Sequence, residues 1–270
     1  MSHAGEPVPI DGETGLILFL GHPTAQAGSP QRLNPKLRAA GRNWIVVPVD
    51  VAPADVDLAA GGFAKVRNLV GLIVTMPHKA WALSRCDAVT PAAEAVGAVN
   101  VIRSERGRWL GDMLDGRGCL AALRARGHEV EGRSALLVGA GGAGSAIADA
   151  LAGAGLRRLR VHDLERTRAG ALVDRLHRHH PDCDAAAGAP DPGGHDLVIN
   201  ATPLGMRDRD PLPLDPGQLE APQVVVDVIP KPEITPLLAS ARERGCAIQP
   251  GTAMLDGQID LMVDFFTRRR

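Results

Sequence analysis

No tyrosine occurs in these 270 residues, and tryptophan and phenylalanine contribute only three and four. So thin an aromatic supply excludes a stacking platform for single-stranded nucleic acid. An excess of charge is missing too: 30 basic against 31 acidic side chains leave a formal net charge of −1. That balance provides no electrostatic footprint for nucleic acid or a membrane surface, and the Arg268-Arg269-Arg270 tail is too short to make one. No apolar run reaches the length of a bilayer. The first residues hold Glu6 and Asp11 and lack a secretory pattern, which predicts a cytoplasmic protein. Cys86, Cys119, Cys183 and Cys246 are scattered without a C-x-x-C pair, a pattern of isolated buried thiols rather than of disulfides or a zinc site. His177, His179, His180 and Cys183 crowd around Pro181, but they read as the basic end of a helix, and no metal is expected.

What the chain does have is glycine in a telling place. Leu136-Leu137-Val138 is a short apolar run that stops at Gly139-Ala140-Gly141-Gly142-Ala143-Gly144 and gives way to a helical pattern through Leu151. Gly139, Gly141 and Gly144 fit G-x-G-x-x-G, in which the first glycine permits a tight turn. The second lets a pyrophosphate approach the backbone, and the third lets helix pack on strand. The start of the helix offers unpaired N–H groups and a positive dipole end to phosphates. Leu159 to His162 then reads as a second strand ending at Asp163, about 20 residues beyond the glycines, where a ribose-binding carboxylate is expected. This context predicts a dinucleotide site.

Strand and helix patterns alternate along the rest of the chain. Residues 1 to 14 read as a loose polar terminus. Strands are expected at Leu16–Leu20, Trp44–Val49 and Gly71–Thr75, with helices between them, the second running from Val56 to Leu69 with a break at Gly61-Gly62. Val99–Arg103 and Gly107–Leu110 read as a hairpin, and Asp115-Gly116 opens a helix. Beyond the glycine stretch, strands are expected at Leu197–Asn200, Val224–Val228 and Ala247–Gln249, and helices at Arg166–His177, Thr235–Arg244 and Met254–Thr267. The alternation predicts an α/β protein with parallel sheets, in two domains that meet near residue 115.

Loops leaving the carboxyl ends of parallel strands carry the chemistry of such folds. Taken singly, Lys79 is an ordinary surface lysine, Asp115 a helix cap and Asn100 a hairpin residue. Their order changes that reading. Thr75-Met76-Pro77-His78-Lys79, Gly97-Ala98-Val99-Asn100, Gly111-Asp112 with Asp115-Gly116, Gly139 to Gly144, Asn200-Ala201-Thr202-Pro203-Leu204-Gly205-Met206, Thr235-Pro236-Leu237-Leu238, and Met254-Leu255 with Gln258 follow one another. The series resembles the shikimate dehydrogenase family, including its quinate-oxidising relatives, from about Gly21 to the C-terminus. The resemblance implies an N-terminal α/β substrate-binding and catalytic domain, residues 1–115 with 250–270, and a Rossmann-type dinucleotide-binding domain, residues 116–249. It implies reversible hydride transfer between a nicotinamide cofactor and a ring secondary alcohol of a small cyclic hydroxy acid. Lys79 and Asp115 match its catalytic positions, and Ser29, Thr75, Asn100 and Gln258 its substrate positions. Gly139, Gly141, Gly142, Ala143, Gly144, Asp163, Thr202 and Met206 fall at its cofactor positions. An amine within hydrogen-bonding reach of the carbinol can accept the proton that leaves as hydride departs, and a carboxylate can orient it. A monomer or homodimer is expected. The contrasting reading is a non-catalytic dinucleotide or metabolite sensor, against which the presence of both Lys79 and Asp115 weighs.

The departures from the family pattern cluster around the substrate. Ala27 stands where the first of two carboxylate-binding serines is usual, with Ser29 at the second. Ile73, Met113, Leu114 and Pro230 replace an asparagine, an asparagine, a threonine and a tyrosine. A substrate other than shikimate or quinate is therefore expected to fit best. NADP users of the family carry an asparagine-arginine pair after the second cofactor-domain strand. Asp163-Leu164 here predicts a preference for NAD, because a carboxylate accepts ribose hydroxyls and repels a 2′-phosphate, with Arg166 and Arg168 close by.

Overall fold

The computed structural model describes residues 10–25 and 27–268; most of the expected loose terminus and the end of the arginine tail lie outside the described residues. Residues 11–14 form a hydrogen-bonded turn rather than loose chain. Asp11 Oδ1 accepts from Asn43 Nδ2 at 2.9 Å, and the Thr14 hydroxyl donates to Asn43 Oδ1 at 3.0 Å.

Two compact units emerge. The first contains residues up to Thr90, Ala98–Asp112 and the chain from Ile259 onward. Its strands are β1 (Gly15–Gly21), β2 (Trp44–Asp50), β3 (Leu69–Val74), the two-residue β4 (Ala88–Val89), β5 (Val101–Glu105) and β6 (Arg108–Asp112), in the order β2-β1-β3-β5-β6-β4. β1 is buried on both faces, as a central parallel strand must be. Helices α1 (Ser29–Ala39), α2 (Val56–Phe63) and α3 (Lys79–Arg85) connect the strands. Two expectations need correction. The second helix does not break at Gly61-Gly62 but runs through both and ends at Phe63, so that Leu69 opens β3. The sheet is also mixed, not parallel: β5 runs antiparallel to both β3 and β6. The cause is local. Arg106 (φ 52°) and Gly107 (φ 78°) are both left-handed, the signature of a two-residue turn that folds a hairpin back on itself.

The second unit contains Pro91–Gly97 and Met113–Gln258. Its boundaries differ from residues 116–249: helix α4 (Pro91–Val96), the whole of α5 (Asp115–Ala125) and the first half of the last helix pack here. Its strands are β7 (Ser134–Val138), β8 (Arg158–His162), β9 (Asp184–Ala187), β10 (Leu197–Asn200), β11 (Val224–Asp227) and β12 (Ala247–Gln249). All pair in parallel, in the order β12-β11-β10-β7-β8-β9, with helices α6 (Gly142–Gly153), α7 (Arg166–His179), α8 (Pro236–Glu243) and α9 (Gly251–Thr267). This is the doubly wound order, and it reverses between β7 and β10. Strand β9 was not expected, because Asp-Ala-Ala-Ala has no β-branched residue; it forms by pairing with β8, Arg158 opposite Asp184.

Alternation along β7 covers both faces of this sheet. Leu137 joins Ile147, Leu151, Leu172, Ile199 and Val226 in one core, while Leu136 and Val138 join Val198, Val225, Leu237 and Leu238 in the other. Leu136 and Leu137 are fully buried on opposite sides, each contributing about 1.5–3 kcal/mol. α5 meets α6 at Gly116, where a Cβ would lie 1.9 Å from the Ala146 carbonyl oxygen. That close approach sets the helix bearing Asp115 directly against the helix that follows the glycine loop.

Candidate active site

At the carboxyl edge of the second sheet, the three motif glycines prove to have three different causes. Gly139 is left-handed (φ 103°), and a Cβ on it would meet Ala201 C and O and Thr202 Cγ2 at 2.9 Å. Gly144 supports a Cβ only 1.9 Å from the Gly139 carbonyl oxygen, so a side chain there would push helix from strand. Gly141 is unlike both. Its φ of −73° and ψ of −170° suit any residue, and a Cβ would meet nothing within 4 Å. Neither backbone strain nor packing explains glycine there; room kept open for a ligand does. Gly141 is also the N-cap of α6 and provides no side-chain cap, so the first turn at Gly142, Ala143 and Gly144 presents its N–H groups to an anion. The cradle fits a dinucleotide pyrophosphate.

Asp163, at the end of β8, is tied to this loop. Its Oδ2 accepts from the Ala140 N–H at 2.8 Å and its Oδ1 from the Glu165 N–H at 2.9 Å. Two of about four acceptor positions are thus used and two remain for ribose hydroxyls. Leu164 beside it is 89% exposed, and Arg168 is engaged by Glu165 at 2.8 Å. Thr202, expected at the cofactor, keeps its hydroxyl inside the protein: it donates to Asn200 Oδ1 at 2.6 Å and accepts from the Leu204 N–H at 3.1 Å. Met206 is half-buried beyond it.

In the first unit, backbone hydrogen bonds bring Thr75, Lys79 and Asn100 together. The Thr75 N–H donates to Leu20 O (2.8 Å), the Val74 N–H to Asn100 O (2.7 Å) and the Val99 N–H to Lys79 O (2.9 Å). Lys79 begins α3, directly after His78, which is buried and donates from Nε2 to Val51 O at 2.8 Å. Ser29 is buried at the start of α1. Asp115 and Gln258 belong to the second unit. Both are buried, and Gln258 lies over the first turn of α5, where a Cβ on Gly118 would reach its Cγ at 2.2 Å. The His177–Cys183 cluster has other work: His177 Nε2 meets Ala185 O at 2.9 Å and His180 Nε2 meets Asp149 Oδ1 at 2.8 Å. Among the described residues no group of three or more metal-binding side chains is gathered.

Comparison with known proteins decides the family. The model of the shikimate dehydrogenase substrate binding domain matches residues 19–102. A curated shikimate dehydrogenase (NADP(+)) of Rubrobacter xylanophilus is 42% identical over 255 residues, covering 91% of this chain and 88% of that one. The chain belongs to the shikimate dehydrogenase family. Members are oxidoreductases that act on a CH–OH group with a nicotinamide cofactor. The solved shikimate dehydrogenase of Listeria monocytogenes, in complex with shikimate and NAD, is 28% identical, with a TM-score of 0.86 over 97% of this chain and 94% of that one. The 5-ketofructose reductase of a Gluconobacter strain, also 28% identical, has a TM-score of 0.83 over 95% and 94%.

Set within this family, the departures divide. Ile73, Met113 and Leu114 are 2%, 2% and 1% exposed, as buried as Asn100 and Ser29, while Ala27 and Pro230 are partly exposed. Asp227 and Thr235 are not among the candidate residues. Thr235 opens the Thr235-Pro236-Leu237-Leu238 motif of the series, and Asp227 is signalled only as a polar residue closing the apolar strand Val-Val-Val-Asp of β11.

Proposed function

We propose that this family member reversibly oxidises a ring secondary alcohol of a shikimate- or quinate-like compound. The observation that carries the reading is Gly141, a glycine that neither its backbone angles nor its neighbours require, at the mouth of an uncapped helix. A bound nicotinamide supplies the hydride acceptor. Lys79 takes the proton from the carbinol hydroxyl as hydride leaves and steadies the developing negative charge on oxygen; Asp115 orients the amine and shares that hydroxyl. Thr75, Asn100 and Gln258 read the ring hydroxyls, and Ser29 meets the carboxylate. Substrate recognition is assigned to residues 1–115 with 250–270, and the dinucleotide to residues 116–249.

The cofactor preference is for NAD. Asp163 stands where NADP users of the family carry an asparagine before an arginine, Leu164 offers no cation, and of the nearby Arg166 and Arg168 the latter is engaged by Glu165. The substrate preference is for a ring with a weaker demand on a paired-serine carboxylate site, since Ala27 contributes no hydroxyl. Cofactor reduction assayed with shikimate, quinate and other cyclic alcohols, using both dinucleotides, tests the whole reading. Turnover of a cyclic hydroxy acid with a higher kcat/KM for NAD is expected. A higher kcat/KM for NADP overturns the cofactor preference, and no turnover of any ring alcohol overturns the function.

A further inference from the structure

The carboxyl ends of β10 and β11 are joined by a buried polar chain. Asn200, Asp227 and Thr235 are each 0% exposed. Asp227 accepts from Asn200 Nδ2 at 3.2 Å on both oxygens, from the Ile229 N–H at 3.0 Å and from the Thr235 hydroxyl at 2.8 Å. Thr235 is the N-cap of α8, and its oxygen accepts from the Leu238 N–H at 3.3 Å, which leaves its proton for Asp227. Asn200 Oδ1 takes both the N–H (3.0 Å) and the hydroxyl (2.6 Å) of Thr202, while its amide nitrogen also donates to Leu204 O at 3.1 Å. The donors converge on Asp227 from both sides, from the start of α8 through Thr235 and from the loop 201–206 through Thr202 and Asn200.

That loop crosses the point where strand order reverses. Ala201 and Thr202 pack against Gly139, at the distances that forbid a side chain there. In a doubly wound sheet the dinucleotide straddles this point. Asp163 marks the adenosine side, beyond β7 on β8, so the other half of the molecule falls over the exits of β10 and β11. Asp227 is an expensive way merely to stabilise a loop. A carboxylate buried among uncharged partners costs free energy on folding, and burial pushes its pKa above the ordinary carboxylate range. A network whose donors all find an acceptor, on the other hand, holds a loop in one shape before any ligand arrives, which lowers the cost of ordering on binding.

We propose that Asp227 is a positioning residue for the nicotinamide half of the dinucleotide, acting through Asn200 and with Thr235 to hold the 201–206 loop preformed. The proposal rests on the dinucleotide reading of the glycine loop. Isothermal titration of the full chain tests it with paired probes, NAD+ against ADP-ribose, and NADP+ against its own fragment lacking nicotinamide. In Asp227→Asn and in Thr235→Val, Kd for the complete dinucleotide should rise about ten-fold, while that for the fragment stays within about two-fold. Thr235→Ser, which keeps the hydroxyl, should bind both as the unaltered chain does. If Asp227→Asn does not fold, Thr235→Val still reads the effect. Equal weakening of dinucleotide and fragment, or a lowered Tm with the affinity ratio unchanged, overturns the positioning role and leaves a purely stabilising network. Failure of the unaltered chain to bind either probe overturns the dinucleotide reading itself, and the proposal with it.

Discussion

Around Thr75, Lys79 and Asn100 the first sheet ties its loops with main-chain hydrogen bonds, and the second sheet, which uses such bonds as well, adds a connected set from side chains. Leu20, Lys79 and Asn100 contribute carbonyls to the first set. Asp163, Asn200, Asp227 and Thr235 contribute carboxylates, an amide and a hydroxyl to the second. A main-chain bond survives a change of side chain. The first unit can therefore hold Ile73 in its core and Ala27 at a loop without loosening the arrangement of its loops. The second unit has main-chain ties of its own, from the Ala201 N–H to Val138 O at 2.7 Å and from the Val228 N–H to Asn200 O at 3.1 Å, but its 201–206 loop leans also on the side chains of Asn200 and Asp227, where substitution is expected to cost more.

The sharpest break between the two halves is expected from Lys79→Ala. It should lower kcat by roughly 10²-fold or more while leaving Kd for the dinucleotide unchanged. Near-normal kcat in that variant would remove Lys79 from the chemistry. Next in size is a pair of glycine substitutions within the second half. Gly144→Ala should cost about 1–3 kcal/mol of stability, because its Cβ would strike the Gly139 carbonyl, and urea unfolding measures that cost. Gly141→Ala should unfold at the same denaturant concentration as the unaltered chain yet bind dinucleotide about ten-fold or more weakly. Unchanged affinity there would show that the open space at Gly141 is not the pyrophosphate site.

Smaller effects are expected in the adaptable half. Ala27→Ser should lower KM for shikimate about ten-fold, the scale of one hydrogen bond to a charged group. An unaltered enzyme that already has micromolar KM for shikimate would show that the lost serine is compensated.

The smallest effects contrast two carboxylates at opposite edges of the second sheet. Hydrogen bonds from the Ser134 hydroxyl and N–H, both to Asp196 Oδ2, hold the Asp196 carboxyl below its ordinary range. Its folded pKa is depressed, so its contribution is complete above the unfolded value and disappears as pH falls through the folded one. Burial raises Asp227, so the folded state keeps that proton longer and stability declines as pH climbs from the unfolded value to the folded one. Urea midpoints followed across the acid range should show a shallower acid loss in Ser134→Ala, and no alkaline-going decline from this group in Asp227→Asn. Profiles that superimpose on that of the unaltered chain would contradict both assignments.

Most of the cofactor half was legible because its signals are local. Leu136 to Gly144 contains a buried strand, its stop and a helix start within nine residues, and the spacing to Asp163 follows from one βαβ unit. The hairpin of Val99–Arg103 and Gly107–Leu110 is legible for the same reason, although its turn takes in Gly107 and its strands reach Glu105 and Arg108. Strand β9 was not, since Asp184 to Ala187 owes its conformation to β8 and to nothing in its own side chains. The family resemblance assigns Thr202 to the cofactor, but nothing local reveals that its hydroxyl bonds to Asn200, whose amide donates to Asp227 27 residues away.

By itself, then, the sequence determined the alternation of strands and helices, the glycine cradle, and the ordered motifs that mark the family, because each depends on neighbours a few positions apart. Only the tertiary structure decided that β5 runs antiparallel to β3, that Asp115 and Gln258 pack with the second unit, that Ile73 and Met113 are buried, and that Asp227 bonds to the residue heading a loop it never adjoins in sequence. Burial and hydrogen-bond partnership are set by which strands lie side by side. In this doubly wound sheet such neighbours are β7 and β10, paired in space although Ala135 and its partner Leu197 are more than sixty residues apart in the chain.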